Sequence, residues 1–206
     1  MTWNWFKKNR AYPQFWNLYL ECFKSPKLKS PIENYVVFDT ETTGLEPSKD
    51  VMLSIGAIKV TQNSINVKET LDLHIKQDVF SAASVPIHGI LKETNLEKVV
   101  EAEAVIRFLS FIEDAVLVGH HVEFDIAMIN QALKRLGAGK LKNERMDTDA
   151  MFRKLKGWQE EEHTSLDELC KKLKIPMNDR HTAVGDAYIT AIVFLKLKHR
   201  IKVTIH

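Results

Sequence analysis

The chain has 206 residues, 45% of them apolar and 27% charged, and its 29 Lys and Arg against 27 Asp and Glu leave a net charge of +2. That length suits one domain with a modest appendage, and that balance excludes disordered, collagen-like and coiled-coil chains. Two cysteines, Cys22 and Cys170, are too few for a disulfide framework or a structural zinc site, and no apolar run reaches the roughly 18–20 residues that span a bilayer. A cytoplasmic protein with no membrane segment is expected.

Residues 1–30 carry six Lys and Arg against the single Glu21, a net +5 that leaves −3 on the remainder, and they hold three of the four tryptophans. Behind Pro13, Phe15, Leu18, Tyr19, Cys22 and Phe23 repeat at helical spacing, which predicts an amphipathic helix packed on the main domain. Ser25-Pro26 and Ser30-Pro31 break that helix, so residues 1–30 read as a leader and 31–206 as the main domain.

Tyr35–Phe38 has the β-branching of a buried strand and ends on Asp39; Val51–Thr61 reads as a second strand. Ile65, Val67, Leu71, Leu73 and Ile75 alternate with polar residues and mark a third. After a loop through Pro86, a helix is predicted from about Leu96 to Ile112, then a buried strand at Ala115–Val118 closed by Gly119. A helix from about Phe124 to Leu136, an edge strand near Met146–Thr148 and a helix to about Leu155 follow. Ser165-Leu-Asp-Glu168 is a capping box, Ile175-Pro176 stops its helix, and a last helix runs from just after His181 to about Lys198. The order predicts an α/β fold: a mixed five-stranded sheet covered by helices, with an N-terminal helical extension.

Asp39 and Glu41 follow the first strand, at the end where open α/β sheets place ligands, and an i, i+2 pair in extended chain converges on one side. Taken alone, such a pair is more often solvated than a metal site. Asp125 lies in the first turn of a helix, where N–H groups favour acids. Asp186 sits inside an otherwise apolar helix, where burial is costly unless something neutralises it. His181 stands at the mouth of that helix, a position that capping alone would explain.

As a set, Val37-Phe-Asp-Thr-Glu-Thr-Thr-Gly-Leu45, Gly119-His-His-Val-Glu-Phe-Asp125 and His181-Thr-Ala-Val-Gly-Asp186 resemble the three motifs of the DEDDh exonuclease superfamily, with Ile87–Ile90 and Ser165–Cys170 also matching. The motifs look similar to those of the epsilon proofreading subunits of bacterial DNA polymerase III and their stand-alone relatives. The second motif departs at His121, where many relatives carry Asn, and the leader has no counterpart.

The resemblance implies a ribonuclease H-like fold and a metal-dependent 3′-to-5′ exonuclease that releases nucleoside 5′-monophosphates from DNA, in proofreading or repair. It implies that Asp39, Glu41, Asp125 and Asp186 hold two divalent cations, with Asp39 bridging both, and that His181 is the general base. Oxygen-only ligands suit Mg²⁺ or Mn²⁺, and two such ions about 3.5–4 Å apart can activate water, relieve phosphate charge and stabilise the leaving oxygen. Thr40, Thr42, Gly44, Leu45, His88 and Phe124 would line the pocket for the terminal nucleotide.

The implied partners are single-stranded or frayed DNA 3′ ends, with RNA as the runner-up substrate, and a DNA polymerase served in trans. A 3′-to-5′ exoribonuclease is the alternative within the enzyme class. A non-catalytic nucleic-acid-binding or polymerase-associated scaffold is the alternative outside it, and it would need none of the five motif residues. Asp147-Thr-Asp149 reads as helix capping, and Lys196, Lys198, His199, Arg200 and Lys202 as a solvated helix face.

Overall fold

The computed structural model describes residues 12–24, 34–77 and 97–201. The segment Ile87–Ile90 with His88, the Ser-Pro linker and Lys202 lie outside the described residues. In chain order the elements are α1 Gln14–Glu21, β1 Asn34–Thr42, β2 Met52–Thr61, β3 Ser64–Ile75, β4 Lys98–Val99, α2 Glu101–Ile112, β5 Val116–Gly119, α3 Val122–Arg135, β6 Arg145–Asp147, α4 Thr148–Lys156, α5 Leu166–Leu173 and α6 Ala183–Ile201.

The sheet is mixed, in the order β4-β3-β2-β1-β5-β6, with β1, β2 and β3 antiparallel and β4, β5 and β6 joined in parallel. It has one strand more than the five expected. His74 and Ile75 pair with Lys98 and Val99, so the chain is extended where a helix was expected from Leu96. Helix α2 starts only after Val100, whose extended backbone (φ −71°, ψ 153°) occupies the N-cap position.

Period-2 alternation along β1 divides the core. Val36 and Phe38 face Trp16 and Tyr19 of α1 and the apolar stripes of α2 and α3. Tyr35 and Val37 face α4, α5 and α6 through Phe152, Leu169, Ile189, Val193 and Phe194. By the same alternation Asp39 and Glu41 fall on the α6 side and Thr40 on the α3 side. One strand therefore feeds side chains to both layers at its carboxyl end.

Helix α1 is docked, with Trp16 and Tyr19 1% and 3% exposed. The Tyr19 hydroxyl donates to Asn143 Oδ1 (2.6 Å) and accepts the Lys142 N–H (2.8 Å), while the Trp16 ring fills the space a Cβ on Gly139 would need. Burial pushes the Tyr19 phenol up to about 12. Lys196 and Lys198 at the basic end are tied back, donating to the carbonyls of Leu173 (3.1 Å) and Gln62 (3.0 Å). No helix among the described residues is long and apolar enough to cross a membrane.

Candidate cation-binding active site

What brings the last helix to the first strand is a glycine. Gly56 of β2 pairs with Asp39 of β1, and a Cβ there would overlap the Ala183 carbonyl and the Val184 nitrogen. Only a residue without a side chain lets the first turn of α6 lie on the sheet at this register. Asp186, one turn in, then arrives over Asp39 and Glu41. One oxygen from each of the three carboxylates lies within 4.8 Å of the others, a spacing that a single cation can span.

Asp125 approaches from the other layer. Its Oδ1 accepts both the Thr40 N–H (2.9 Å) and the Thr40 hydroxyl (2.6 Å), and the residue is 4% exposed. It stands near enough to Asp39 for repulsion to be felt there.

The electrostatics mark a site short of positive charge. Burial first, and then repulsion from Asp125, Asp186 and Glu41, hold the Asp39 carboxyl well above the usual range. Burial and the Asp186 charge raise Glu41 to about 7. Burial also lifts Asp125 to about 7 against the pull of its Thr40 hydrogen bonds. Asp186 is raised by burial as well, with the Arg180 guanidinium opposing. Such a cluster gains by exchanging its protons for a cation.

Arg180 is the residue that the sequence reading missed. Its guanidinium pairs through Nη1 with Asp186 Oδ1, and its Nε donates to Asp167 Oδ1 at 2.7 Å. The signal was there: a buried acid in an apolar helix, with an arginine six residues earlier. His181 itself is exposed in a left-handed conformation (φ 65°).

Of the expected pocket residues, Thr40, Thr42 and Gly44 lie on or just past β1, and the Thr42 hydroxyl donates to the Gly44 carbonyl (2.7 Å). Asp50 stiffens this loop by accepting from the Thr43 hydroxyl and the Glu46 N–H, each at 2.8 Å. Leu45, on the same loop, is 86% exposed. Phe124 is half-buried against the α2–α3 side of the core.

In the second motif His120 and His121 behave differently. The His120 ring nitrogen Nδ1 meets the Thr148 hydroxyl at 2.9 Å, and burial pushes its pKa down to about 4. His121 is exposed at the N-cap of α3 (φ 59°). With Asp149 and His163 it forms a second group of metal-capable side chains. There, however, Asp149 Oδ1 takes the Thr164 N–H (2.9 Å), and Oδ2 meets His163 Nδ1 (2.8 Å) and Arg153 Nε (3.2 Å). Both oxygens are filled, one by a permanent cation, so Asp149 pins the 163–164 loop to α4. Asp147 caps two helices at once, accepting from Asp149 and Ala150 in α4 and from Val122 in α3.

Over most of its length the chain is similar to known proteins. The chain is 31% identical over 169 residues to a DNA polymerase III PolC-type of Caldanaerobacter subterraneus subsp. tengcongensis, an alignment covering 82% of this chain and 12% of that protein. It is 35% identical over 186 residues to a DNA polymerase III subunit epsilon-like protein of Rhodobacter capsulatus, covering 87% and 26%. The chain thus spans about an eighth to a quarter of the length of these relatives.

The crystal structure of E. coli exonuclease I in complex with a dT13 oligonucleotide shares the fold at a TM-score of 0.70 and 21% identity, over 82% of this chain and 42% of that one. Residues 36–194 match the RNase_T exonuclease family model. That stretch contains the four carboxylates and His181, and it runs through all six strands of the sheet; the chain belongs to the RNase_T exonuclease family.

Proposed function

We propose that this chain is a divalent-cation-dependent 3′-to-5′ exonuclease that trims single-stranded or frayed DNA 3′ ends to nucleoside 5′-monophosphates. The observation that carries it is the convergence of Asp39, Glu41 and Asp186 within 4.8 Å, each with a raised pKa, in a chain of an exonuclease family.

The donor set fits Mg²⁺ or Mn²⁺, since it offers carboxylate oxygens and no Cys or His. Asp39, Glu41 and Asp186 would hold one cation, and Asp39 with Asp125 a second. When bound, the cations supply relief of phosphate charge and a more acidic water. His181, exposed at the mouth of α6, takes the proton from the attacking water and passes it to solvent.

The 42–45 loop, held by Asp50, presents its backbone and the exposed Leu45 to the terminal nucleotide, with Phe124 completing the pocket. An apolar face of this kind reads stacking and sugar shape in preference to base edges. Residues 31–206 would form the nuclease domain and residues 1–30 a leader, of which α1 is docked. The names of the relatives support service to a DNA polymerase, and the two scattered cysteines support a cytoplasmic setting.

The test is digestion of 3′- and 5′-labelled single-stranded DNA and RNA with Mg²⁺, with Mn²⁺ and with EDTA. Mononucleotides from the 3′ label and a descending ladder from the 5′ label are expected on DNA, lost in EDTA and in Asp39→Asn. Full turnover in EDTA refutes the mechanism, and preferential trimming of RNA refutes the substrate.

A further inference from the structure

The turn that leads into α6 is wound so that neighbouring side chains part. Asp179 and His181 both have left-handed backbone (φ 57° and 65°), flanking Arg180. His181 is exposed, whereas the Arg180 side chain is only 17% exposed. The Thr182 hydroxyl donates to the Asp179 carbonyl (2.9 Å) and accepts the Gly185 N–H (3.1 Å). Gly185 has no Cβ to overlap the Asp179 carbonyl oxygen, so the turn closes tightly on the helix. Left-handed non-glycine residues are strained and persist where surrounding contacts over-determine them. Here the strain holds a guanidinium against an acid of the candidate cation site.

That guanidinium is shared. Nη1 is on Asp186 and Nε on Asp167 of α5, at 2.7 Å. Its field also reaches Asp39 and Glu41, where it favours the ionised forms. A cation of 2+ charge arriving among Asp39, Glu41 and Asp186 meets a positive charge already seated on one of its ligands. Two positive charges a few ångströms apart in a half-buried site repel strongly.

We propose that Arg180 is the resident counterion of the carboxylate cluster: it holds the cluster together in the cation-free protein and competes with the incoming divalent cation for Asp186, so that it sets how tightly the site takes its cation. Asp167 is its second anchor and draws part of its charge away from Asp186. The proposal rests on Asp39, Glu41 and Asp186 being cation ligands, and the experiment separates the two.

The experiment is titration of the full, EDTA-stripped chain with Mn²⁺, followed by calorimetry and by the electron paramagnetic resonance of free Mn²⁺, together with thermal melts in EDTA. Arg180→Gln should bind Mn²⁺ at least about tenfold more tightly than wild type and melt at a lower temperature without cation. Arg180→Lys, which keeps the charge, should stay close to wild type in Mn²⁺ affinity. Asp167→Asn, which leaves the guanidinium to Asp186 alone, should bind Mn²⁺ more weakly, and this variant decides the matter if Arg180→Gln fails to fold. Unchanged or weaker Mn²⁺ binding by a folded Arg180→Gln overturns the proposal, as does tighter binding by Asp167→Asn. Wild-type Mn²⁺ binding by Asp39→Asn overturns the ligand assignment itself, and with it the role of Arg180.

Discussion

Replacing Glu41 by Gln should make the cation-free protein more stable, and the gain should depend on pH in a defined way. Burial and the Asp186 charge raise Glu41 from its ordinary 4.5 to about 7. The folded state therefore keeps a proton that the unfolded chain has released between those values, so stability falls as pH rises from about 4.5 to about 7 and then levels off. A shift of that size is worth at most about 3 kcal/mol, and screening by water on the partly exposed side of Glu41 reduces it to about 1–2 kcal/mol. Glutamine removes the charge and keeps the shape. At pH 8 in EDTA the variant should melt about 3–6 °C above wild type; at pH 4.5 the difference should shrink to about 0.4 kcal/mol. The assay is a set of calorimetric melts at the two pH values, with and without Mg²⁺, and added Mg²⁺ should narrow or reverse the gap. A variant that melts at or below wild type at pH 8, or that gains equally at both pH values, would refute the picture of a strained, charge-poor cluster.

His181→Ala should lower kcat by about 10²–10⁴ and leave Mn²⁺ affinity nearly unchanged, because the carboxylates are untouched; near-normal turnover would reduce His181 to the start of a helix. Asp186→Ala should abolish hydrolysis but, unlike Glu41→Gln, should also destabilise the cation-free fold, since it strips the Arg180 guanidinium of one partner; a raised melting temperature in EDTA would contradict this. Trp16→Ala should cost about 3–5 kcal/mol in urea denaturation, as expected for an aromatic side chain lost from the core; a cost below about 1 kcal/mol would mean that α1 is a loosely attached arm.

The parts of this architecture that depend on short-range chemistry were readable in the sequence. The alternation of β3, the helix behind Pro13, and the capping box, in which Ser165 Oγ accepts the Glu168 N–H at 3.3 Å, are all local. Asp39, Glu41, Asp125 and Asp186 stood out only through the resemblance of their three motifs as a set, since solvation or helix position would account for each one alone. Strand β4 was not legible, since two residues beside a helix carry no period and are extended only through their pairing with His74 and Ile75. Thr40 was read as lining the pocket; that its hydroxyl donates to Asp125, 85 residues away, is a tertiary contact with no local signal. Gly56 offered a signal that went unused, an isolated glycine inside a strand, which marks close backbone approach. Arg180 was passed over because a cation alone was taken to explain how Asp186 could be buried.

The alternation along β1 has a kinetic consequence. Asp39 and Glu41 belong to the layer built by α4, α5 and α6, and the Thr40–Asp125 pair to the layer built by α1, α2 and α3. A chain with only one layer docked has three of the four carboxylates in place and lacks either Asp125 or Asp186. Where docking of the two layers is the rate-limiting step of folding, a divalent cation held there would find its full binding energy only afterwards, and stabilisation that arrives after the transition state slows unfolding without speeding folding. Such a cation would act as a latch on the finished molecule, prolonging the life of the native state while giving no help in reaching it.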